Sequence, residues 1–435
     1  MLRFAAAAGA VAIVVTAATA PAAPPPTYAT IGEAVRGALE TGEGVRIADA
    51  EARKAGLRTR RYRLAVTPDV RLRAAYVRLD EETSPDQGQG GGAPPERQLG
   101  WSLELTQPLY TGGRATAAYE AQRALEGSAG LGRELARRET ALAAAEAWYG
   151  VLAAAEGVRV GEEAVGQAQR HLERTTRRVE LGEAVLNDRL QAEVSLRQLE
   201  SSLAASRGAL ANARERLRRI AGGYPGAEPA VPIPVPAPEG SPEELVAEAL
   251  AHRLEPQQAG FSVTAAEQDL REKRGRFLPS LALTASYARQ GEELDTLAWQ
   301  WSAGVALELP LYQSGQRLAE MRESRVGLEQ ARLAAEAAGR DVEFEVRGLV
   351  NDLGATAARI ASLRAAEAAA TENLRFAERR YDVGLADGLE VVDARVSLTA
   401  ARTALAAERY RIETLKLRLA VAVGRDPVPA LAATP

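Results

Sequence analysis
The chain has no cysteine, two histidines, and only three lysines (Lys54, Lys273, Lys416) among 54 basic residues. Without cysteine there is no disulfide framework, thiolate metal site, cysteine nucleophile or lipid-modified cysteine. His171 and His252 cannot supply the multi-histidine set of a catalytic zinc centre. Both read as exposed positions on charged helices. No lysine follows a glycine, which removes the GxxxxGK[ST] phosphate loop. A net charge of −4 over 435 residues argues against a general nucleic-acid binder. Long apolar runs are scarce too. Past the first twenty residues none approaches the ~18 uncharged apolar residues of a membrane-spanning helix. A membrane-embedded part would therefore have to be a closed β-barrel. These absences leave no enzyme chemistry, no cofactor and no metal to expect.

What is present begins with an export signal, residues 1–20. Arg3 gives the positive start, Ala5–Ala18 the apolar stretch, and Ala18-Thr19-Ala20 the small-x-small cleavage site. The mature chain is expected to start near Pro21, outside the cytoplasm.

The rest contains itself twice. Pro108-Leu109-Tyr110-Thr111-Gly112-Gly113 returns as Pro310-Leu311-Tyr312-Gln313-Ser314-Gly315, 202 residues on. Arg177-Arg178-Val179-Glu180-Leu181-Gly182 returns as Arg379-Arg380-Tyr381-Asp382-Val383-Gly384 at the same offset, and Val194-Ser195-Leu196 as Val396-Ser397-Leu398. The period is too long for a solenoid and reads as a tandem duplication. It divides the chain into a first repeat at 21–221, a Pro-rich linker at 222–241, a second repeat at 242–425 and a tail at 426–435. The linker's alternating prolines favour extended backbone.

Each half runs helix, strand, loop, strand, very long helix, short break, helix. The first helix is expected over Thr30–Leu64. Strands are expected at about 69–79 and 99–109, separated by a Gly/Pro/acid-rich loop at 81–98, and again at about 280–289 and 298–309. Leu99, Trp101, Leu103 and Leu105 alternate with Gly100, Ser102, Glu104 and Thr106, a period of two. Strands of about ten residues cross a bilayer when tilted. Trp101, Trp299 and Trp301 sit on or beside them, with Tyr110 and Tyr312 just outside. That placement suits a membrane interface, although two hairpins on a soluble core would show the same alternation.

Long helices are expected at 113–181 and 315–383. Each is free of proline, rich in Ala, Arg, Glu and Leu, and about 100 Å long. After short breaks, helices at 186–221 and 387–423 carry heptad seams. One is Leu196, Leu199, Leu203, Ser206, Leu210, Ala213 and Leu217; its counterpart is Leu398, Ala401, Leu405, Glu408, Ile412, Leu415 and Leu419. A second seam in the last helix runs Leu389, Val392, Val396, Thr399, Thr403, Ala406 and Tyr410. The fold class is thus mainly α with a small β part. Four strands are too few to close a barrel. Three chains supply twelve, the smallest multiple with room for a passage. The expected assembly is a homotrimer whose 12-stranded β-barrel continues into a helical coiled-coil tube. Arg71, Arg73, Glu104, Thr284, Ser286, Gln300 and Glu308 would line the barrel.

The duplicated strand-loop-strand units, the two Pro-Leu-Tyr turns and the two helix breaks together resemble the TolC-like outer membrane factor family, across nearly all of the mature chain. The resemblance implies an outer membrane channel of a tripartite efflux or type I secretion system. Its implied partners are a periplasmic adaptor and an inner-membrane transporter, with outer membrane lipid around the barrel. It implies that the breaks are adaptor-contact tips, here Leu181 and Gly182, and Val383, Gly384 and Leu385. It further implies a channel constriction at Glu390 and Asp393, and an entrance latch of Tyr381 with Asp188. The chain departs from the pattern in having Glu390 where Asp is usual. It also has Ala386 where some members carry an arginine that ties the closed state. Read from the residues alone, Glu390 and Asp393 also fit a solvated helix face with Arg395 as partner, and Tyr381 also fits a plain core aromatic. A non-transporting periplasmic coiled-coil scaffold is the alternative function.

Overall fold
The computed structural model describes residues 26–78, 97–226, 235–291 and 297–427. The export signal, nearly all of the loop at 81–98, residues 227–234 of the linker and most of the tail lie outside the described residues. In chain order the elements are β1 (Thr27–Tyr28), α1 (Ile31–Thr41), α2 (Glu43–Leu64), β2 (Asp69–Arg78), β3 (Arg97–Tyr110), α3 (Arg114–Glu180) and α4 (Leu186–Ala221). The second half follows with β4 (Tyr224–Pro225), α5 (Pro242–His252), α6 (Leu254–Gly275), β5 (Ser280–Gly291), β6 (Ala298–Glu308), α7 (Gln316–Asp382) and α8 (Gly388–Ala422).

The duplication is visible in these boundaries. Arg114 to Gln316 and Glu180 to Asp382 are each 202 residues apart. Upstream the offset becomes 211: Ile31 to Pro242, Glu43 to Leu254, Asp69 to Ser280. The nine-residue difference falls between the paired strands, where the first repeat has the longer loop. The helix starts repeat in chemistry as well. The Thr30 hydroxyl accepts from the Glu33 N–H and the Ser241 hydroxyl from the Glu244 N–H, so each helix pair opens with a hydroxyl cap.

The helix expected over Thr30–Leu64 is two helices. It breaks at Gly42, whose N–H closes α1 on the Ala38 carbonyl while ψ swings to 120°. Arg253, 211 residues on, breaks α5 from α6 in the same way at ψ 144°. The break recurs without a glycine, so packing of the short helices on the long ones imposes it.

The long helices α3 and α7 have 67 residues each, about 100 Å of rod. Their core lies in three clusters along the length. The largest joins Trp148, Tyr149 and Leu152 of α3 with Ile31 and Val35 of α1, Leu217 of α4 and Leu417 of α8. A second joins Leu245 of α5, Val346 of α7 and Leu419 of α8. The third lies next to the break between α7 and α8. On α4 every seventh residue (Leu196, Leu203, Leu210, Leu217) is buried, the spacing of a coiled-coil seam. The second α8 seam is buried at Ala406 and Tyr410 and half-buried at Val392 and Thr399; Leu389 and Val396 are exposed, because no element of the same chain covers them.

The four long strands form one antiparallel sheet in the order β2-β3-β5-β6. Its register sorts the side chains by chemistry. Arg71, Glu104, Ser286 and Ser302 share one row and one face, and Arg73, Gln300, Thr284 and Glu308 lie on the same face. The other face carries Leu72, Leu103, Tyr287 and Trp301 in one row, with Val70, Leu105, Val305 and Leu307 nearby. In the single chain the sheet is open, and the edge strands β2 and β6 are exposed along their whole length. Leu72 is 70% exposed, Leu307 69% and Trp301 64%. An apolar face of that extent marks a surface meant for another apolar medium or partner.

Candidate functional site
The residues singled out by sequence gather where α3 turns into α4 and α7 into α8. Both turns have one construction. Gly182 and Gly384 sit in the left-handed region at φ 72° and 75°. The Glu183 N–H then reaches the Arg178 carbonyl at 2.8 Å, and the Leu385 N–H reaches the Arg380 carbonyl at 2.8 Å. This six-to-one bond with glycine at the helix end is the Schellman stop. Glycine is required because a side chain at that φ meets the backbone carbonyl. The stop leaves Leu181, Val383 and Leu385 about 70% exposed. Each tip is thus a rigid turn with bare aliphatic side chains.

One turn beyond the second tip, the Asp387 carboxylate caps α8 by accepting the Glu390 N–H. The Glu390 carboxylate is held at 2.6 Å by the Arg380 guanidinium, which also donates to the Leu385 carbonyl. Asp393 lies three residues on and is exposed. Arg395, considered from the sequence as the partner of this pair, points elsewhere. It is 3% exposed and donates to the Glu378 carboxylate at 2.9 Å and to the Gln167 carbonyl. The pairing cation for Glu390 is therefore Arg380, on the preceding helix.

Tyr381 is 5% exposed and packs with Leu374, Ala377, Val391, Ala394 and Leu398. Its hydroxyl donates toward the Thr175 hydroxyl at 3.4 Å, a long contact. The Arg178 guanidinium lies 4.7 Å from the ring centroid and donates to the Tyr381 carbonyl at 2.9 Å. Asp188 is buried in the first turn of α4, against Gly388: a Cβ added at 388 would stand 3.3 Å from the Asp188 carboxylate. Within the one chain, then, Tyr381 binds α3 and Asp188 meets the start of α8. The structure brings both to the same end of the bundle without a hydrogen bond between them.

His171 was missed by the sequence reading, which placed it on the surface. It is 3% exposed and its ring lies 5.7 Å from that of Tyr381. Burial first, then Arg395 and Arg174, push its pKa down to about 4, so it is neutral at pH 7. With Tyr381, Arg174, Arg178 and Glu378 it lines a cavity of about 240 Å³. The signal was present in the spacing: Ala164, Ala168, His171 and Thr175 follow one another by four, three and four, and all are buried. His252, by contrast, is exposed. Among the described residues no His/Asp/Glu cluster has the arrangement of a metal site.

The two turns together present exposed aliphatic tips, a carboxylate pair beside one of them, and an aromatic packed between helices. The model of one family, described as outer membrane efflux protein, matches residues 38–223 and 245–425. The chain is 26% identical to outer membrane protein TolC of Escherichia coli over 339 residues, 74% of this chain and 69% of that protein. It is 26% identical to outer membrane protein TolC of Vibrio cholerae over 381 residues, 83% of each. The Campylobacter jejuni CmeC outer membrane channel superposes with a TM-score of 0.81 at 17% identity, over 91% of this chain and 85% of that one. The open state of the Neisseria gonorrhoeae MtrE outer membrane channel does so at 0.77 and 19% identity, over 91% and 89%.

Proposed function
The chain belongs to the outer membrane efflux protein family, and on that premise we propose that it is the outer membrane exit duct of a tripartite efflux or type I secretion system. Three copies pool their sheets into a 12-stranded barrel that continues into a helical tube. Solutes cross it by diffusion, and the energy comes from an inner-membrane transporter through a periplasmic adaptor. The observation that carries this reading is the bare sheet: one apolar face, one polar face, and two edge strands exposed throughout. Open edges and an exposed apolar face are liabilities in water. Closure inside lipid removes both at once, with the Leu72–Trp301 face outward and the Arg71–Glu104 face lining the passage. Exposed large side chains along the long helices, such as Phe344 and Leu333, fit subunit contacts below the barrel.

At the far end, the Leu181–Gly182 and Val383–Gly384–Leu385 tips offer the adaptor two rigid aliphatic knobs per subunit. Glu390 and Asp393, one helical turn apart, would bring three copies of each toward a threefold axis and focus negative potential there. The Arg380 guanidinium on Glu390 moderates that ring. Tyr381, held by Arg178 and Thr175, keeps α7 and α8 packed on α3 as the entrance latch, and Asp188 of α4, against Gly388 at the start of α8, is its second member.

The test is extraction and conductance. The duct fractionates with the outer membrane, runs as a heat-sensitive trimer and opens ion-conducting pores in planar bilayers. A periplasmic coiled-coil scaffold would instead be soluble without detergent and form no pores.

A further inference from the structure
The apolar face of the sheet carries charge at one end only. Across the four long strands, its charged side chains among those described are Arg78 and Arg289. Arg289 lies between Trp101 and Trp299, in the row four residues further in than that of Arg78. The two positions thus fall within about 13 Å along the strands. The opposite, polar face mixes signs, with Asp69, Arg71, Arg73, Glu104 and Glu308, and spreads them over the strand length. Among the described residues no carboxylate lies on the apolar side.

Two further facts separate this from chance. Arg78 and Arg289 are 211 residues apart, the offset that relates Asp69 to Ser280, so they occupy one position in the two repeats. Both are exposed. The arginine end is also the end away from the helices: α2 leads into the opposite end of β2, and β3 leaves from there towards α3. In the proposed barrel this is the outer-leaflet side. Tyr76, Trp101 and Trp299 lie beside or just below the arginines, the level at which aromatic girdles meet headgroups.

We propose that Arg78 and Arg289 form a belt that binds the phosphate groups of a phosphorylated glycolipid in the outer leaflet. Guanidinium recognises phosphate through paired N–H donors and sheds its water more readily than ammonium. The apolar stem lies along the sheet while the head reaches the interface. The acyl chains would then lie on Leu72, Leu103, Val305 and Leu307. This rests on the barrel reading above.

The experiment uses the full-length trimer in nanodiscs and measures lipid retained by native mass spectrometry. The probes are bisphosphorylated lipid A, its dephosphorylated form, and phosphatidylglycerol. Wild type is expected to retain the bisphosphorylated glycolipid selectively. Each arginine changed to Gln should lower retention about fivefold, and Arg78→Gln/Arg289→Gln should remove the selectivity. Planar-bilayer conductance of that variant reports on the barrel separately. Equal retention by wild type and the double variant, with trimer and conductance intact, would overturn the belt alone. Equal retention of phosphatidylglycerol and the glycolipid by wild type would overturn the glycolipid assignment. Wild type without pores or trimers would instead overturn the barrel reading beneath it.

Discussion

Tyr381 makes its contacts through its ring more than through its hydroxyl, and this decides what its substitution should do. The 3.4 Å contact to Thr175 is long, whereas the residue is buried in an aliphatic cluster and its ring is faced by Arg178. Tyr381→Phe should therefore cost under about 1 kcal/mol, and Tyr381→Ala about 3 kcal/mol, read from hydrogen exchange in the last turns of α7. His171 adds a pH dependence to the same region. It is kept neutral when folded, with its pKa lowered to about 4 from 6.5. Below pH 6.5 the unfolded imidazole takes up a proton that the folded one refuses, so stability is full above that value and falls towards pH 4. The loss is on the order of 3 kcal/mol, and His171→Gln should flatten the slope in melts taken between pH 4 and 7. The facing groups are Arg174, Arg178, Arg395, Glu378 and Tyr381. For the acidic pair, Glu390→Ala with Asp393→Ala should raise single-channel conductance and weaken block by divalent cations. Arg380→Ala, which frees Glu390, should strengthen that block. The pair itself was legible as i, i+3 carboxylates on one helix. Its cation was not, because Arg380 reaches Glu390 across a turn whose shape depends on Gly384.

At the scale of elements, α3, α4, α7 and α8 were readable because proline-free, alanine-rich sequence and heptad spacing state one conformation over many turns. The two faces of each strand were readable from alternation, whereas the strand order and register came only from the fold. The breaks at Gly42 and Arg253 were not, since only packing against the long helices tells one helix from two. The tips follow from local rules, and their variants separate shape from contact. Gly384→Ala keeps the Schellman bonds but forces a side chain to φ 75°, at a cost of about 1 kcal/mol. Gly384→Pro also removes the N–H that bonds the Tyr381 carbonyl and should unravel the tip. Leu385→Asp changes no packing inside the subunit, because Leu385 is 70% exposed. It should leave the heat-sensitive trimer intact while abolishing efflux, measured as substrate accumulation in cells without another exit duct. Normal export in that variant would remove the tips from docking.

For the whole molecule, the sheet makes the sharpest demand. Leu72→Arg and Val305→Arg put charge midway along the apolar face, and each should cost about 2–4 kcal/mol in the bilayer. The double variant should vanish from outer membrane fractions while the helical bundle keeps its circular dichroism. The proposed count of twelve strands comes only from asking what four cannot close. In the proposed trimer the same feature would govern how the protein is made. A newly made subunit would carry an unfinished ribbon whose β2 and β6 margins have no kin until two sisters arrive. Maturation would then be a multi-body encounter, steeply sensitive to how many copies wait at once. The interval before it would call for custody by a holding chaperone, without which stray ribbons would stitch into open-ended chains.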